Sequence, residues 1–564
     1  MFIQKIGVIG RTYRHLNRYR QILAVLFKYG FGDLVDSLKI EQYLEISLQV
    51  ISRKQRGRIK SLSHAQRIRM AMEELGPTFI KMGQILSTRP DLLPVQWIQE
   101  LSRLQDDVPP FSFSSVKEII EQELQKPLDQ VFPHLERQPL AAASIGQVHR
   151  GQLIDGDEVV VKIQRPSIEK TVEVDLEIML HLAILMERHL KGMEIHHPAL
   201  IVEEFARTLE KELDYNVEAA HTERFAMQFT RDTTIYVPKI YREITTRRIL
   251  TMEYINGIKA SEIDRLEEAG LNRHEIACRG FDLIMKQIFV HGFFHADPHP
   301  GNIFVLPNNI ICYLDFGMMG RIDRQNRENF ADLVMSIVRR DEKKATQALV
   351  RLTISDEEPD YHLLQRDVAD FIERHFYRPL KDLDLGKLLL QLLEMVAKHR
   401  LHIPPDLFLM LKALSTAEGL GQMLDPDFDA TKQAAPFIRH IQMARLHPRR
   451  IAMDLADSGA DLLHLFKEIP GELREILRQA RQGRIKIEFE HRGLEPMLVT
   501  HYRISNRISF AIVLASLVIG SSLIVLSDIP PKWHGIPVIG LAGFLVAGIM
   551  GFWLLISILR RGKM

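Results

Sequence analysis

Phe293 to Phe304 reads FFHADPHPGNIF, which sets His295, Asp297 and, five residues on, Asn302 in one turn-rich segment behind an apolar run. Thirteen residues after Asn302 stands Asp315, inside Tyr313-Leu314-Asp315-Phe316-Gly317 and again behind an apolar run. The spacing is that of H-R-D-x-x-x-x-N followed by D-F-G. In that arrangement one carboxylate orients a hydroxyl, while an amide oxygen and a second carboxylate hold Mg²⁺ against phosphates. Asp297 is the candidate orienting base, and Asn302 and Asp315 are the candidate metal ligands. His, Asp and Asn are also ordinary turn formers, so the reading depends on what lies upstream.

Upstream, Ala141 to Val148 reads AAASIGQV. It occupies the frame GxGxxGxV of a kinase phosphate loop, with Ala141 and Ala143 at the first two glycine positions, Gly146 at the third and Val148 at the valine. Fourteen residues later Val159-Val160-Val161 ends in Lys162, an apolar strand that delivers an ammonium to the α and β phosphates. Such a lysine needs a carboxylate on a helix. Glu210 to Ala219, EKELDYNVEA, offers Glu212, Asp214 and Glu218, and spacing alone does not choose among them.

The elements that position these groups follow from periodicity and breakers. Residues 60 to 130 predict helices punctuated by Gly76-Pro77, Pro90, Pro94 and Pro109-Pro110. Ser144 to His149 and Glu158 to Gln164 predict a β-hairpin around Asp155-Gly156-Asp157. Residues 168 to 230 read as helical, 235 to 255 as strand-like, 260 to 293 as helical up to Gly292, and helices dominate beyond Arg324.

A chain of 564 residues exceeds one compact domain, and 46% apolar with 26% charged residues is a globular balance. Its two cysteines, Cys278 and Cys312, form no disulfide framework and no metal-ligand spacing, which suits a reducing compartment. The net charge of +1 conceals 14 Lys or Arg against 4 Asp or Glu in residues 1 to 70. That basic stretch favours an anionic surface, and the amphipathic spacing of Tyr19 to Phe31 favours a bilayer or a partner helix over nucleic acid.

Two runs without charge, Ile508 to Leu526 and Ile536 to Leu559, have 19 and 24 residues, each long enough to cross a hydrocarbon core of ~20 helical residues. Pro530, Pro531 and Trp533 lie between them, so the pair predicts a transmembrane hairpin. Arg503 and Arg507 before it and Arg560, Arg561 and Lys563 after it outnumber Lys532 in the turn, which places both ends and the upstream body in the cytoplasm. Small residues at Ala511, Ala515, Ser516, Gly520, Gly543, Ala547 and Gly551 suit close pairing within the hairpin or between the copies of a homodimer.

KMGQ from Lys81 to Gln84, AAASIGQVH, VVVK, ELDYNVEA, HADPHPGN and DFG together resemble the UbiB family of atypical protein-kinase-like proteins, across Gly76 to Gly320. The terminal hairpin resembles its bacterial branch, which supports ubiquinone biosynthesis. The resemblance implies an α+β, two-lobed kinase-like fold with extra helices, plus the C-terminal transmembrane α-hairpin. It implies five regions: a basic helical 1–70, a KxGQ-containing extension 71–135, an N-lobe 136–258, a C-lobe with helical extension 259–500, and two spans in 501–564. It pairs Lys162 with Glu218, makes Glu212 and Asp214 an ExD element, and folds Lys81, Gly83 and Gln84 over the substrate side of the cleft. It gives ATP and Mg²⁺ as cofactors, with Ala141, Ala142, Ala143, Ser144, Gly146, Val148, Lys162 and Glu253 on the nucleotide.

Family members behave chiefly as ATPases. Alanine is stiffer than glycine and adds methyl groups near the phosphates, so nucleotide selectivity is expected to differ from ordinary kinases. No APE triplet follows Gly317, which leaves a protein substrate little platform. The resemblance also implies quinone precursors or quinone-biosynthesis enzymes as partners and the bacterial inner membrane as location. Two other classes stay open: a small-molecule phosphotransferase, because HADPHPGN is similar to the HGDLHPGN loop of aminoglycoside and choline phosphotransferases, and a nucleotide-dependent scaffold.

Overall fold

The computed structural model describes residues 16–38, 62–104, 108–190, 197–355, 358–376, 385–445, 495–527, 529–533 and 535–561, with 478 and 481. The described residues fall into two units, 1–452 and 453–564.

In the first unit, α1 (Leu16–Lys28) precedes α2 (His64–Leu75) and α3 (Pro77–Leu86). Ser63 caps α2 in a reciprocal capping box with Gln66, and Gly76, at φ +97°, ends it so that Pro77 opens α3. This break turns the chain and sets Lys81, Gly83 and Gln84 on a separate helix.

A five-stranded antiparallel sheet follows. Its order is β1 (His134–Leu135), β3 (Gly146–Gln152), β4 (Glu158–Gln164) and β6 (Ile249–Glu253), with β2 (Ala141–Ala142) paired to β3. The predicted hairpin is β3–β4, and Gly156 supplies the left-handed turn residue at φ +92°. Three helices lie between β4 and β6: α4 (Ile168–His189), α5 (Pro198–Glu212) and α6 (Tyr215–Gln228).

The second half holds the sheet β5-β10-β9-β7, comprising β5 (Ile235–Tyr236), β7 (Ile258–Lys259), β9 (Ile303–Leu306) and β10 (Ile310–Tyr313). A short ribbon pairs β8 (Phe293–His295) with β11 (Met319–Arg321). Helix α7 (Arg273–Met285) runs into a π-helical turn that Gly292 terminates at φ +68°. There a Cβ would lie 2.7 Å from the Ile322 carbonyl oxygen, so glycine is required on two counts. Helix α8 (Pro405–Leu424) packs on α7 and β11. The stretch 235 to 255, expected as strand-like throughout, is instead β5 and β6 in different sheets, separated by a 3-10 turn at Arg242–Ile244.

The apolar face of the basic N-terminal helix is not free for a bilayer. Tyr19, Ile22, Leu23 and Val25 of α1 are buried in the core formed with α4 and α5. The Arg18 guanidinium meets the fully buried Asp175 at 2.7 Å and donates to the Leu75 carbonyl, locking α1 to α4 and α2. An amphipathic pattern records that a face is covered, not by what.

In the second unit, α9 (Glu495–Leu526) and α10 (Val538–Arg561) form an antiparallel hairpin. Ile504–Leu526 and Val538–Leu555 are long and apolar enough to cross a membrane, and only 6% and 11% of their most apolar windows is buried, unlike a soluble core helix. Gly543 faces Ser521 so closely that a Cβ would lie 2.1 Å from its Oγ, and Ala547 is buried. These small residues serve pairing within the hairpin.

Candidate active site

Register fixes the first group. Lys162 stands opposite Val148 on one side and Leu250 on the other, in the middle of the first sheet. Its ammonium donates to both oxygens of Glu218, at 2.8 and 3.0 Å. Glu218 sits in the first turn of α6, whose N-cap is Asp214, accepting from the Asn216 N–H at 3.0 Å. The three candidate acids therefore separate: Glu218 takes Lys162, Asp214 caps its helix, and Glu212 meets Lys81 at 3.6 Å.

Electrostatics join these groups to Asp315. Lys162 draws the Asp315 carboxyl down to about 2 against the opposing effect of burial, helped by the Gly317 N–H that donates at 2.9 Å and by Lys81. Burial alone would lower the Lys162 ammonium, but Glu218 and Asp315 raise it well above its ordinary value. The Lys162 ammonium and the Asp315 carboxylate thus each favour the charged form of the other.

His295 holds the two acidic loops in register. Its Nδ1 accepts from the Asp297 N–H at 3.2 Å, and its Nε2 bonds the Asp315 carbonyl. A ring that accepts at Nδ1 and donates at Nε2 is the neutral Nε2–H tautomer, and burial lowers its pKa accordingly. The Leu314 N–H donates to the Asn302 carbonyl at 3.1 Å, closing the same link from the other end. Asp297 itself is half-exposed, with Oδ1 3.6 Å from the Lys412 ammonium.

The alanine loop is a tight turn. Ala141 and Ala142 pair with Val148 and Gln147, and the Ala143 N–H donates to the Gly146 carbonyl at 2.7 Å. Ser144 is buried, and strand β3 begins at Gly146 rather than at Ser144. A Cβ on Gly146 would lie 2.6 Å from the Ile163 carbonyl and 2.5 Å from the Tyr215 hydroxyl, so only glycine fits. Glu253 ends β6, and its carboxylate accepts from the Tyr236 hydroxyl at 2.8 Å and the Lys239 N–H at 3.1 Å. Gly83 packs α3 onto Leu104 and Met72, and the Gln84 amide donates to the Leu104 carbonyl at 3.2 Å.

Asn302 and Asp315 offer the hard oxygen atoms that Mg²⁺ takes. Among the described residues no group of three or more His, Cys, Asp or Glu side chains could hold a metal unaided. A divalent ion here would complete its shell with phosphates and water, the usual habit of Mg²⁺.

Two neighbours escaped the sequence reading. His221, one helical turn beyond Glu218, bonds the Phe316 carbonyl at 3.1 Å, and the i, i+3 spacing could have flagged it. Lys412 lies in a helix with no motif and gave no signal.

The family model of the ABC1 atypical kinase-like domain matches residues 103–349, the UbiB helical domain matches 368–429, and the ABC1/UbiB kinase-like C-terminal domain matches 492–560. A protein of Marinobacter nauticus called "Probable protein kinase UbiB" is 35% identical over 75% of this chain and 78% of its own. The chain belongs to the UbiB family. A Shewanella piezotolerans protein of the same name is 30% identical over 96% of this chain and 98% of its own. An "Uncharacterized protein in hydrogenase 1 5'region" of Clostridium pasteurianum is 33% identical over 97% and 99%. The atypical kinase-like fold and the pair of apolar C-terminal helices expected from the sequence both stand.

Proposed function

We propose that this UbiB-type protein binds Mg²⁺-ATP between its two lobes, hydrolyses it slowly, and supports isoprenoid quinone biosynthesis, with ubiquinone as the quinone. The observation that carries the ATP reading is the Lys162–Glu218 pair with Asp315 held ionised beside it. Lys162 would then bind the α and β phosphates, and Asn302 and Asp315 would hold Mg²⁺, which would supply positive charge against the phosphates. Asp297 orients the attacking water, and neutral His295 keeps Asp297 and Asp315 in register. The alanine turn covers the phosphates, and α3, tied by Lys81 to Glu212, covers the substrate side. That cover, with no APE triplet behind Gly317, favours water or a small hydroxyl over a protein as acceptor.

The quinone assignment rests on the family and on the name its relatives carry. In this reading the hairpin anchors the body at the cytoplasmic face of a bacterial inner membrane, and the basic first 70 residues add attraction to anionic lipids, about 1 kcal/mol per Lys or Arg near the surface. Since the apolar face of α1 is buried, that attraction is electrostatic. The test is lipid extraction from cells lacking this protein, with quinones quantified by mass. An accumulated prenylated precursor with depleted quinone is expected, and an unchanged quinone profile contradicts the assignment.

A further inference from the structure

We propose that Lys412 is a catalytic cation, placed to meet the phosphoryl group as it leaves the nucleotide; the proposal rests on the ATPase reading above. The loop from His295 to Asn302 contains no Lys or Arg, since Ala296 stands where the H-R-D frame has arginine. Two other lysines of the site are engaged, Lys162 with Glu218 and Lys81 with Glu212. Lys412 is the single Lys or Arg of α8, a helix that otherwise buries Leu407, Phe408, Met410, Ala413 and Leu414. The same helix lines a small apolar cavity with Ala417 and Leu420, opposite Pro298 of the catalytic loop. Packing there sets the helix beside the loop, and its one cation emerges at Asp297.

The contact is an ion pair without a hydrogen bond. At 3.6 Å it lies beyond the 2.7–3.2 Å range of N–H···O bonds, and the two side chains keep 29% and 41% of their exposure. An ammonium on a flexible stem, held by charge alone, is free to turn toward a second anion beside Asp297. Phosphoryl transfer presents that anion. The water oxygen forms a bond to the γ-phosphorus, and the bond from phosphorus to the β,γ-bridging oxygen breaks, its electron pair leaving on ADP. The water proton passes to solvent by way of Asp297. Lys412 neutralises the equatorial oxygens of the transferring group, a role whose value lies in the transition state.

An ion pair this exposed adds little to folding, so turnover and stability separate in one experiment. The full-length protein in detergent micelles is compared as wild type, Lys412→Ala, Lys412→Arg and Asp315→Asn. The readings are kcat and KM for Mg²⁺-ATP, ADP affinity by calorimetry, and melting temperature without nucleotide. Lys412→Ala is expected to lower kcat by about 10- to 100-fold while ADP affinity stays within about threefold and melting is unchanged, as a group acting only in the transition state requires. Lys412→Arg is expected to recover part of kcat. Wild-type kcat in Lys412→Ala, or a loss shared equally by kcat, ADP affinity and melting temperature, overturns the proposal while Asp315-dependent hydrolysis by the wild type keeps the ATPase reading. If the wild type shows no Mg²⁺-dependent hydrolysis that Asp315→Asn removes, the reading and the proposal both fall.

Discussion

The Lys162 ammonium donates to both carboxylate oxygens of Glu218, joining the middle of a sheet to the first turn of a helix. Their side chains keep only 17% and 7% of their exposure, so each depends on the other for its charge. Breaking a buried pair costs about 3–5 kcal/mol when the survivor is left without a partner. Glu218→Ala is expected to cost less, about 2 kcal/mol, because the Asp315 charge still favours the Lys162 ammonium. Lys162→Ala strands two acids and is expected to cost more. Melting temperatures of the two variants and the double variant check this: the double variant should lose less than the sum of the singles.

Gly83 brings α3 against Leu104 and Met72, where a Cβ would lie 2.2 Å from Leu104 Cδ1. Gly83→Ala is expected to displace α3 and to destabilise by about 1–3 kcal/mol, the usual range for overpacking. Faster hydrogen exchange over residues 77–86 checks the displacement. Wild-type protection there would mean that the neighbouring side chains yield without moving the helix.

Ala143 occupies the second glycine position of the phosphate-loop frame, and its N–H closes the turn on Gly146. Ala143→Gly is expected to alter the ratio of ATP to ADP affinity with the fold intact, because glycine relaxes the segment that approaches the phosphates. Melting with and without each nucleotide checks this. An equal shift in every condition would reduce the alanine to a backbone effect of ~0.5–1 kcal/mol.

Among the described residues, removal from water lowers the pKa of five histidines, His149, His181, His221, His291 and His295, below the ordinary 6.5; His149 and His295 are fully buried and the other three half-buried. In the unfolded chain each takes a proton near 6.5, so below that pH the unfolded state binds more protons than the folded one. Their contribution to stability is fully present above about 6.5 and is lost as the pH falls toward the folded values. The melting temperature is expected to fall steadily from pH 7 to pH 5, and His149→Gln should flatten part of that slope. A flat profile across this window would contradict neutral burial.

How much of this was legible in the sequence depends on the kind of signal. The β3–β4 hairpin was, because Gly156 and the alternating runs beside it are local facts. So were the terminal helices, because length and apolarity suffice in lipid. The partner of Lys162 was not, because Glu212, Asp214 and Glu218 lie within seven residues. Only the break between α5 and α6 sends the three acids to different tasks. The surroundings of α1 were illegible because a stripe of Tyr19, Ile22 and Leu23 suits a protein core as well as a bilayer. Lys412 was invisible because its position beside Asp297 comes from helix packing across a separation of 115 residues in sequence.

Mg²⁺-dependent ATP hydrolysis by the full-length protein, measured beside nucleotide binding in Asp315→Asn and Asp297→Asn, tests directly whether this cleft carries ATP chemistry. Asp315→Asn is expected to lose metal-dependent binding, because the acid drawn down to about 2 is the one that supplies the ionised oxygen. Asp297→Asn is expected to keep binding and to lose turnover by about 100-fold or more, as removal of an orienting base does. Hydrolysis at the wild-type rate in both variants would contradict the assignment of this cleft as the site of ATP chemistry.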